Sequence, residues 1–192
     1  PAVCDEIAGR GELISCYGQG AYSDHGKNQI FFEAQTMICM LLGMEFTAQT
    51  CHDGAQAAAT AVSMANRITG RKKILLPANM NPQILSTVKN YCYSVQEEQR
   101  LDLVMVNYDS KTGMVDLEDL KSKLDDTVAG VYLENPNYLG QLEADAPQIG
   151  QLAKAAGAEF IVNANPLSLG VIEAPANYGA TIAICDLHDL GC

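Results

Sequence analysis

An α/β domain, with a mostly parallel sheet covered on both faces by helices, is the fold class this sequence predicts. Three observations predict it. From about Asp53 onward, segments of helical periodicity alternate with short apolar runs, the pattern of repeated strand-helix-strand units. The runs are dominated by apolar residues, as strands covered on both faces require. The chain's 192 residues, 48% apolar and 18% charged, suffice for one large domain that buries roughly 70% of its unfolded surface. That composition excludes collagen-like, coiled-coil and intrinsically disordered chains.

The first fifty residues stand apart from this pattern. Leu13 to Lys27 is rich in Gly, Ser and Tyr and has no period, while Asn28 to Leu42 carries Ile30, Phe31, Ala34, Met37, Ile38, Leu41 and Leu42 at helical spacing. A loop-rich arm and one long amphipathic helix packed on the sheet domain are expected over 1–50, with the α/β domain over 51–192. Gly54 to Ile68 predicts a helix, because Ala57, Ala58, Ala61, Val62, Ala65 and Ile68 form one stripe and Gly70 closes it. Lys73 to Leu76 is a strand, and Pro82 opens a helix to about Cys92. Leu101 to Val106 reads as a strand, Asp116 to Leu124 as a helix with a charged outer face, and Ala129 to Leu133 as a strand. Pro147 to Ala156 follows as helix, Glu159 to Val162 as strand, and Thr181 to Cys185 as a last short strand. The runs Leu101–Val106, Ala129–Leu133 and Glu159–Val162 are expected as neighbouring interior strands.

Twelve Lys and Arg against 23 Asp and Glu give a formal net charge of −11. Phosphate backbones and anionic membrane surfaces would be repelled, so neither nucleic acid nor membrane is expected as a partner. The longest uncharged stretch, Ile74 to Val88, is broken by Pro77, Asn79, Asn81 and Pro82, whereas a bilayer span needs about 20 mostly apolar residues. Seven cysteines without a CxxC pair, mostly among apolar neighbours, read as reduced, buried thiols and point to the cytoplasm. The chain opens Pro-Ala-Val-Cys without a methionine or an export signal, as expected of a trimmed product or an excised domain.

His25, His52 and His188 are scattered, and no HxxxH or CxxC spacing suits a metal. Cys51, His52 and Asp53 are adjacent, but adjacent residues rarely converge on one ion. A nucleophile and base at Cys51 and His52 is likewise a weak reading, because catalytic triads are assembled in space rather than along the chain. A loop role is favoured for these residues.

The segments Phe32-Glu33-Ala34-Gln35-Thr36-Met37-Ile38, Leu42-Gly43-Met44-Glu45, His52-Asp53-Gly54-Ala55, Arg67-Ile68-Thr69-Gly70-Arg71-Lys72-Lys73, Leu133-Glu134-Asn135-Pro136-Asn137, Asn165-Pro166-Leu167-Ser168-Leu169-Gly170 and Tyr178-Gly179-Ala180 carry a resemblance. In this order they resemble the glycine dehydrogenase (decarboxylating) family, the P-proteins of the glycine cleavage system, and within it the first subunit of the form split in two. The resemblance implies the type I fold of enzymes dependent on pyridoxal phosphate (PLP), with seven mostly parallel strands. Tyr178-Gly179-Ala180 would lie on its last strand present here. It also implies that this chain is the core part of a subunit more than twice as long.

A PLP enzyme of this fold needs a lysine for covalent attachment, an acid against the pyridinium nitrogen, and a phosphate cradle at a helix start. Thr50, Cys51, Asp53, Gly54 and Ala55 are the candidate cradle, with Asp53 or Thr50 as cap. Asn135 and Asn165 would line the same degenerate pocket. Asn165 stands where the family has an Asp, and an amide cannot hold the ring nitrogen protonated. The last lysine, Lys154, precedes Asn165 by eleven positions, although the fold places its lysine after that strand. All eight lysines are read as solvated surface charge. Asp24-His25 also departs from the family's Ser-Gln in the segment near the active site.

The resemblance therefore implies a non-cofactor-holding subunit that acts beside a lysine-bearing second subunit. Together they would decarboxylate glycine and pass its aminomethyl group to a lipoyl carrier protein. PLP would sit in the partner, and the isolated chain would be catalytically silent and a homo-oligomer. A shortened relative kept as a dimerisation or regulatory module is the alternative from another class. A compact PLP enzyme such as a cysteine desulfurase is contradicted by the missing lysine.

Overall fold

The computed structural model describes residues 2–13, 17–18, 21–22, 25–48, 51–93 and 97–191. These fall into two compact units, Pro1–Thr50 and Cys51–Cys192. The first contains helix α1 (Ala2–Ala8), a short antiparallel pair β1 (Tyr17–Gly18) and β2 (Ala21–Tyr22), and helix α2 (His25–Leu42). The long helix therefore starts three residues before Asn28, and α1 is a helix that the sequence pattern did not announce. Of the apolar residues of α2, only Leu42 is buried, while Phe32, Met37 and Met40 are exposed.

The second unit alternates helix and strand throughout. Its helices are α3 (Gly54–Thr69), α4 (Pro82–Cys92), α5 (Leu117–Lys123) and α6 (Ala146–Ala155). Its strands are β3 (Lys73–Pro77), β4 (Asp102–Val106), β5 (Val128–Asn135), β6 (Glu159–Ala164) and β7 (Ile182–Ile184). The strands form one parallel sheet in the order β4-β3-β5-β6-β7. The α/β class expected from the sequence is the class observed.

One strand assignment is corrected. Leu101–Val106 was expected beside Ala129–Leu133, but β4 pairs with β3 and forms an edge of the described sheet. Its residues are mostly half-buried, whereas every residue of β5 is buried. An unbroken apolar run reports cover on both faces, and it carries no information about which strand lies alongside. Tyr178-Gly179-Ala180 is also displaced from its expected strand. Pro175–Tyr178 is a 3-10 turn ended by Gly179 at φ 98°, and β7 begins only at Ile182.

Helix α3 explains how the layers pack. Its stripe of Ala58, Ala61, Val62 and Ala65 lies against Ile74, Leu76, Tyr132 and Ile161 of the sheet and Val88 of α4. Small side chains let the helix come close, and a Cβ added to Gly130 on β5 would sit 3.1 Å from the Ala65 Cβ. Alternate residues of a strand face opposite sides. Ile161 therefore meets the α3 side, while Phe160 meets α6 at Gly150. Asp53 caps α3 by accepting from the Gln56 N–H at 2.7 Å, and Gly70 ends it in the left-handed region at φ 70°.

Basic side chains take on more than solvation. The Lys73 Nζ donates to the Lys123 carbonyl and to Asp125, and the Lys123 Nζ donates to the Met105 carbonyl and to Asp119. Both lysines are largely shielded, which corrects their reading as free surface charge. Their ammonium groups satisfy carbonyls near the ends of α5 and β4. Arg71 does the same at the opening of β5, with one guanidinium nitrogen within 3.0 Å of the Val128, Ala156 and Gly157 carbonyls. Among the described residues no helix is long and apolar enough to cross a membrane.

Candidate functional site

In a parallel sheet of this kind the carboxyl ends of the strands, together with the starts of the helices that run back over them, form the usual ligand-binding crevice. The candidate residues map to that end. Asp53, Gly54 and Ala55 form the first turn of α3, Asn135 ends β5, and Asn165 follows β6 directly. Cys51 is exposed just before α3. Thr50 lies outside the described residues, as does Asp24, whereas His25 opens α2.

The first turn of α3 already holds acceptors from its own chain. The Gly54 N–H donates to the Asp186 carboxylate at 3.3 Å, the Gln56 N–H to Asp53, and the Ala57 N–H to the Asp53 carbonyl. Among the described residues no hydrogen bond engages the Ala55 N–H of that turn. Asp186 lies two residues beyond β7, and its other oxygen meets His188 Nδ1 at 2.6 Å. The His188 N–H holds the Asp186 carboxyl below its ordinary range against a smaller opposing effect of burial, with the His188 ring and the Gly54 N–H assisting.

Asn165 is occupied in local structure. Its side-chain oxygen accepts from the Leu167 and Ser168 N–H groups, and its amide donates to Asp189 at 2.6 Å. This is an Asx turn that starts the 168–170 helical turn. Asn135 is occupied as well: it accepts from the Glu143 N–H and donates to the Tyr178 hydroxyl. Asn135 pairs in register with Ala164, so Asn135 and Asn165 stand at adjacent strand ends. Among the described residues no hydrogen bond joins either of them to the start of α3.

The sequence reading missed a buried polar cluster at the same end of the sheet. Tyr132 and Glu134 share one face of β5, and Asn163 stands on β6 opposite Glu134. The Asn163 amide donates to the Tyr132 hydroxyl at 3.1 Å, and that hydroxyl lies 3.3 Å from the Glu134 carboxylate. The second Glu134 oxygen accepts from the N–H of Asn81, the cap of α4. Burial pushes the Glu134 carboxyl above its ordinary value near 4.5, with the bonds from Asn81 and Tyr132 opposing. Burial, reinforced by the Glu134 charge, raises the Tyr132 hydroxyl far above its ordinary value. Alternation along the strand places Tyr132 and Glu134 on one side, which was legible. Their meeting with Asn163 and Asn81 depends on register.

Glu134 gives a pH signature of definite sign. Because its folded value lies above its unfolded one, the folded chain holds a proton that the unfolded chain has lost between the two. Stability therefore falls as pH rises from about 4.5 through that window. Asp119 and Asp186, both lowered from 3.8, act in the opposite sense at more acid pH. Glu134→Gln is expected to flatten the fall between pH 4.5 and neutrality. Urea midpoints measured across that range check it, and identical slopes in the two proteins would refute it.

These residues do not fit a PLP phosphate and ring. A phosphate dianion at the α3 start would meet the Asp186 carboxylate on the Gly54 amide. A pyridinium would find the Asn165 amide, which carries no charge and is already engaged. The lysine nearest in sequence to β6, Lys154, lies on α6 before that strand rather than after it. Among the described residues no group of His, Cys, Asp and Glu side chains converges as a metal site.

The sequence profile of the glycine cleavage system P-protein family matches residues 1–192. A probable glycine dehydrogenase (decarboxylating) subunit 1 from Staphylothermus marinus is 37% identical over 194 residues, spanning 100% of this chain and 40% of that protein. The protein of the same name from Carboxydothermus hydrogenoformans is 39% identical, spanning 100% of this chain and 42% of its own. A crystal structure of glycine decarboxylase (P-protein) of the glycine cleavage system, in inhibitor-bound form, superposes with a TM-score of 0.84 at 35% identity, over 100% of this chain and 41% of that one. A sphingosine-1-phosphate lyase from Burkholderia pseudomallei shares the fold at a TM-score of 0.69 and 17% identity, over 99% of this chain and 47% of its own. The chain thus spans about two-fifths of the length of its curated relatives. With a parallel sheet of the type I PLP fold and a profile match from end to end, the chain belongs to the glycine cleavage system P-protein family.

Proposed function

We propose that this chain is a part of the non-cofactor-holding subunit of glycine decarboxylase. In this reading it acts with a lysine-bearing second subunit in the decarboxylation of glycine and the transfer of its aminomethyl group to a lipoyl carrier protein. The observation that carries the reading is the combination of an end-to-end family match with a helix start and a strand end already engaged by Asp186 and Asn165. PLP, where bound in the partner, supplies the electron sink for loss of CO2. This chain's own residues contribute shape, because Asn135, Asn165 and the Glu134 cluster hold the strand ends in fixed positions through hydrogen bonds. In isolation the chain is read as self-associating. A reducing compartment such as the cytoplasm is part of this reading, although among the described cysteines only Cys92 is buried as expected, whereas Cys4 and Cys51 are exposed; burial raises Cys92 to about 11 and raises Cys185 as well.

Incubation with PLP, borohydride reduction and intact-mass measurement test the cofactor assignment. The expected spectrum of residues 1–192 shows no stoichiometric pyridoxyl adduct, since all eight of their lysines precede β6. One adduct per chain on a single lysine would overturn the assignment. A second reading, a dimerisation or regulatory module without a part in catalysis, draws on the same engaged residues. Glycine-dependent CO2 release on co-purification with a lysine-bearing partner selects the first reading. A stable complex without that activity selects the second.

A further inference from the structure

The start of α3 lies at the carboxyl end of the sheet, where the partial positive charge of a helix terminus favours an anion, and a carboxylate of the chain itself sits there. Gly54 is the first residue of a 16-residue helix, and its N–H points at Asp186 Oδ2, 3.3 Å away. The fit is close: a Cβ added to Gly54 would lie 3.0 Å from that same oxygen and 3.3 Å from the Asp186 Cβ. Asp186 is itself held. Its second oxygen accepts from the His188 N–H at 3.0 Å and meets His188 Nδ1 at 2.6 Å. Asp53 supplies a further carboxylate to the same turn, on the Gln56 N–H.

We propose that Asp186 is a built-in occupant of the α3 terminus, a side-chain carboxylate that takes the place of a phosphate and keeps free phosphate and phosphate-bearing ligands from binding there. Two effects act together. The carboxylate satisfies the Gly54 N–H and uses the partial positive charge of the helix end, and it repels a second anion at contact distance. The contact also ties the segment after β7 to the helix that opens the unit, 132 positions earlier. This inference rests on the reading that this half of the enzyme holds no cofactor, but its test needs neither PLP nor a lysine.

The test is a titration of the 192-residue chain with inorganic phosphate, followed by the amide NMR signals of Gly54, Ala55 and Gln56. In the wild-type chain these signals are expected to drift without saturating over the millimolar range. In Asp186→Ala they are expected to saturate, with an apparent affinity raised about fivefold or more, as loss of a like charge and release of a helix amide imply. Asp186→Asn keeps the acceptor without the charge and should fall between the two. It carries the test alone if the alanine variant loses its dispersed spectrum. Equal affinity in wild-type and variant chains overturns the proposal, and so do unmoved amides in a folded variant. A pyridoxyl adduct in the borohydride experiment would sink the cofactor assignment without deciding this titration.

Discussion

Asn137→Ala is expected to destabilise the Cys51–Cys192 unit by about 3–4 kcal/mol, because it strands several buried groups at once. The Asn137 amide donates to the Gly113 carbonyl at 2.9 Å and to the Glu143 carboxylate at 2.7 Å. Its oxygen accepts from the Leu139 and Gln141 N–H groups. Glu143 is 3% exposed and, among the described residues, has the Val115 N–H as its one other side-chain partner. Alanine leaves that buried carboxylate short of a donor and the Leu139 and Gln141 amides short of an acceptor. A buried polar group without a partner costs more than the bond contributed. Urea denaturation followed by circular dichroism measures the effect. Asn90→Ala, on the exposed side of α4, is the matched control and should stay within about 0.5 kcal/mol. A loss below about 1 kcal/mol for Asn137→Ala would show that the network relaxes around the gap.

Gly150→Ala is expected to cost about 3 kcal/mol, through overpacking rather than through a lost bond. A Cβ at this position on α6 would lie 2.6 Å from the Tyr178 carbonyl oxygen and 3.0 Å from the Phe160 ring. Neither neighbour has room to yield. Tyr178 packs edge-on against Phe160, with ring centres 6.5 Å apart, and its hydroxyl meets the Asn135 amide. The backbone after it turns through Gly179 in the left-handed region. The helix would have to lift from the sheet, and that movement exposes Ile149 and Ala153. Thermal unfolding should register the change as a drop in midpoint. Gly170→Ala, where an added Cβ meets nothing within 4 Å, should leave the midpoint nearly unchanged. Equal midpoints for the two variants would mean that α6 is free to shift.

Asn137 belongs to the link between the end of β5 and the loop beyond it, within one of the resemblance motifs, whereas Gly150 lies inside α6. Asn135 and Asn137 flank Pro136 in the segment that ends β5, and each spends its side chain on backbone groups of the following loop. These residue types serve a structural purpose here: an asparagine offers two donors and an acceptor within one short side chain. Asn165 repeats the arrangement after β6.

Much of the local structure was legible from the residues. The Ala stripe, Asp53 and Gly70 set the bounds of α3, Pro82 set the start of α4, and the apolar runs located all five strands of the second unit to within a few residues. These features follow from short-range physics, namely caps, fixed φ angles and the period of buried side chains. The family was legible for a related reason, since its motifs keep their order and spacing along the chain.

Strand order and the chemistry of the site were decided only by tertiary structure. β4 and β6 are both apolar runs, yet β4 lies at an edge and β6 inside, because pairing depends on crossovers that an apolar run does not encode. Lys73 and Lys123 read as ordinary surface charge until the fold brought the Lys123 and Met105 carbonyls within their reach. Asp186 is the clearest instance. The sequence pattern gave no sign of a role for it, and its contact with Gly54 spans 132 positions. The residues Asp53, Gly54 and Ala55 marked the start of α3 in the chain, and only the fold brought the Asp186 carboxylate to the Gly54 N–H, because that contact depends on how the segment after β7 returns to the helix.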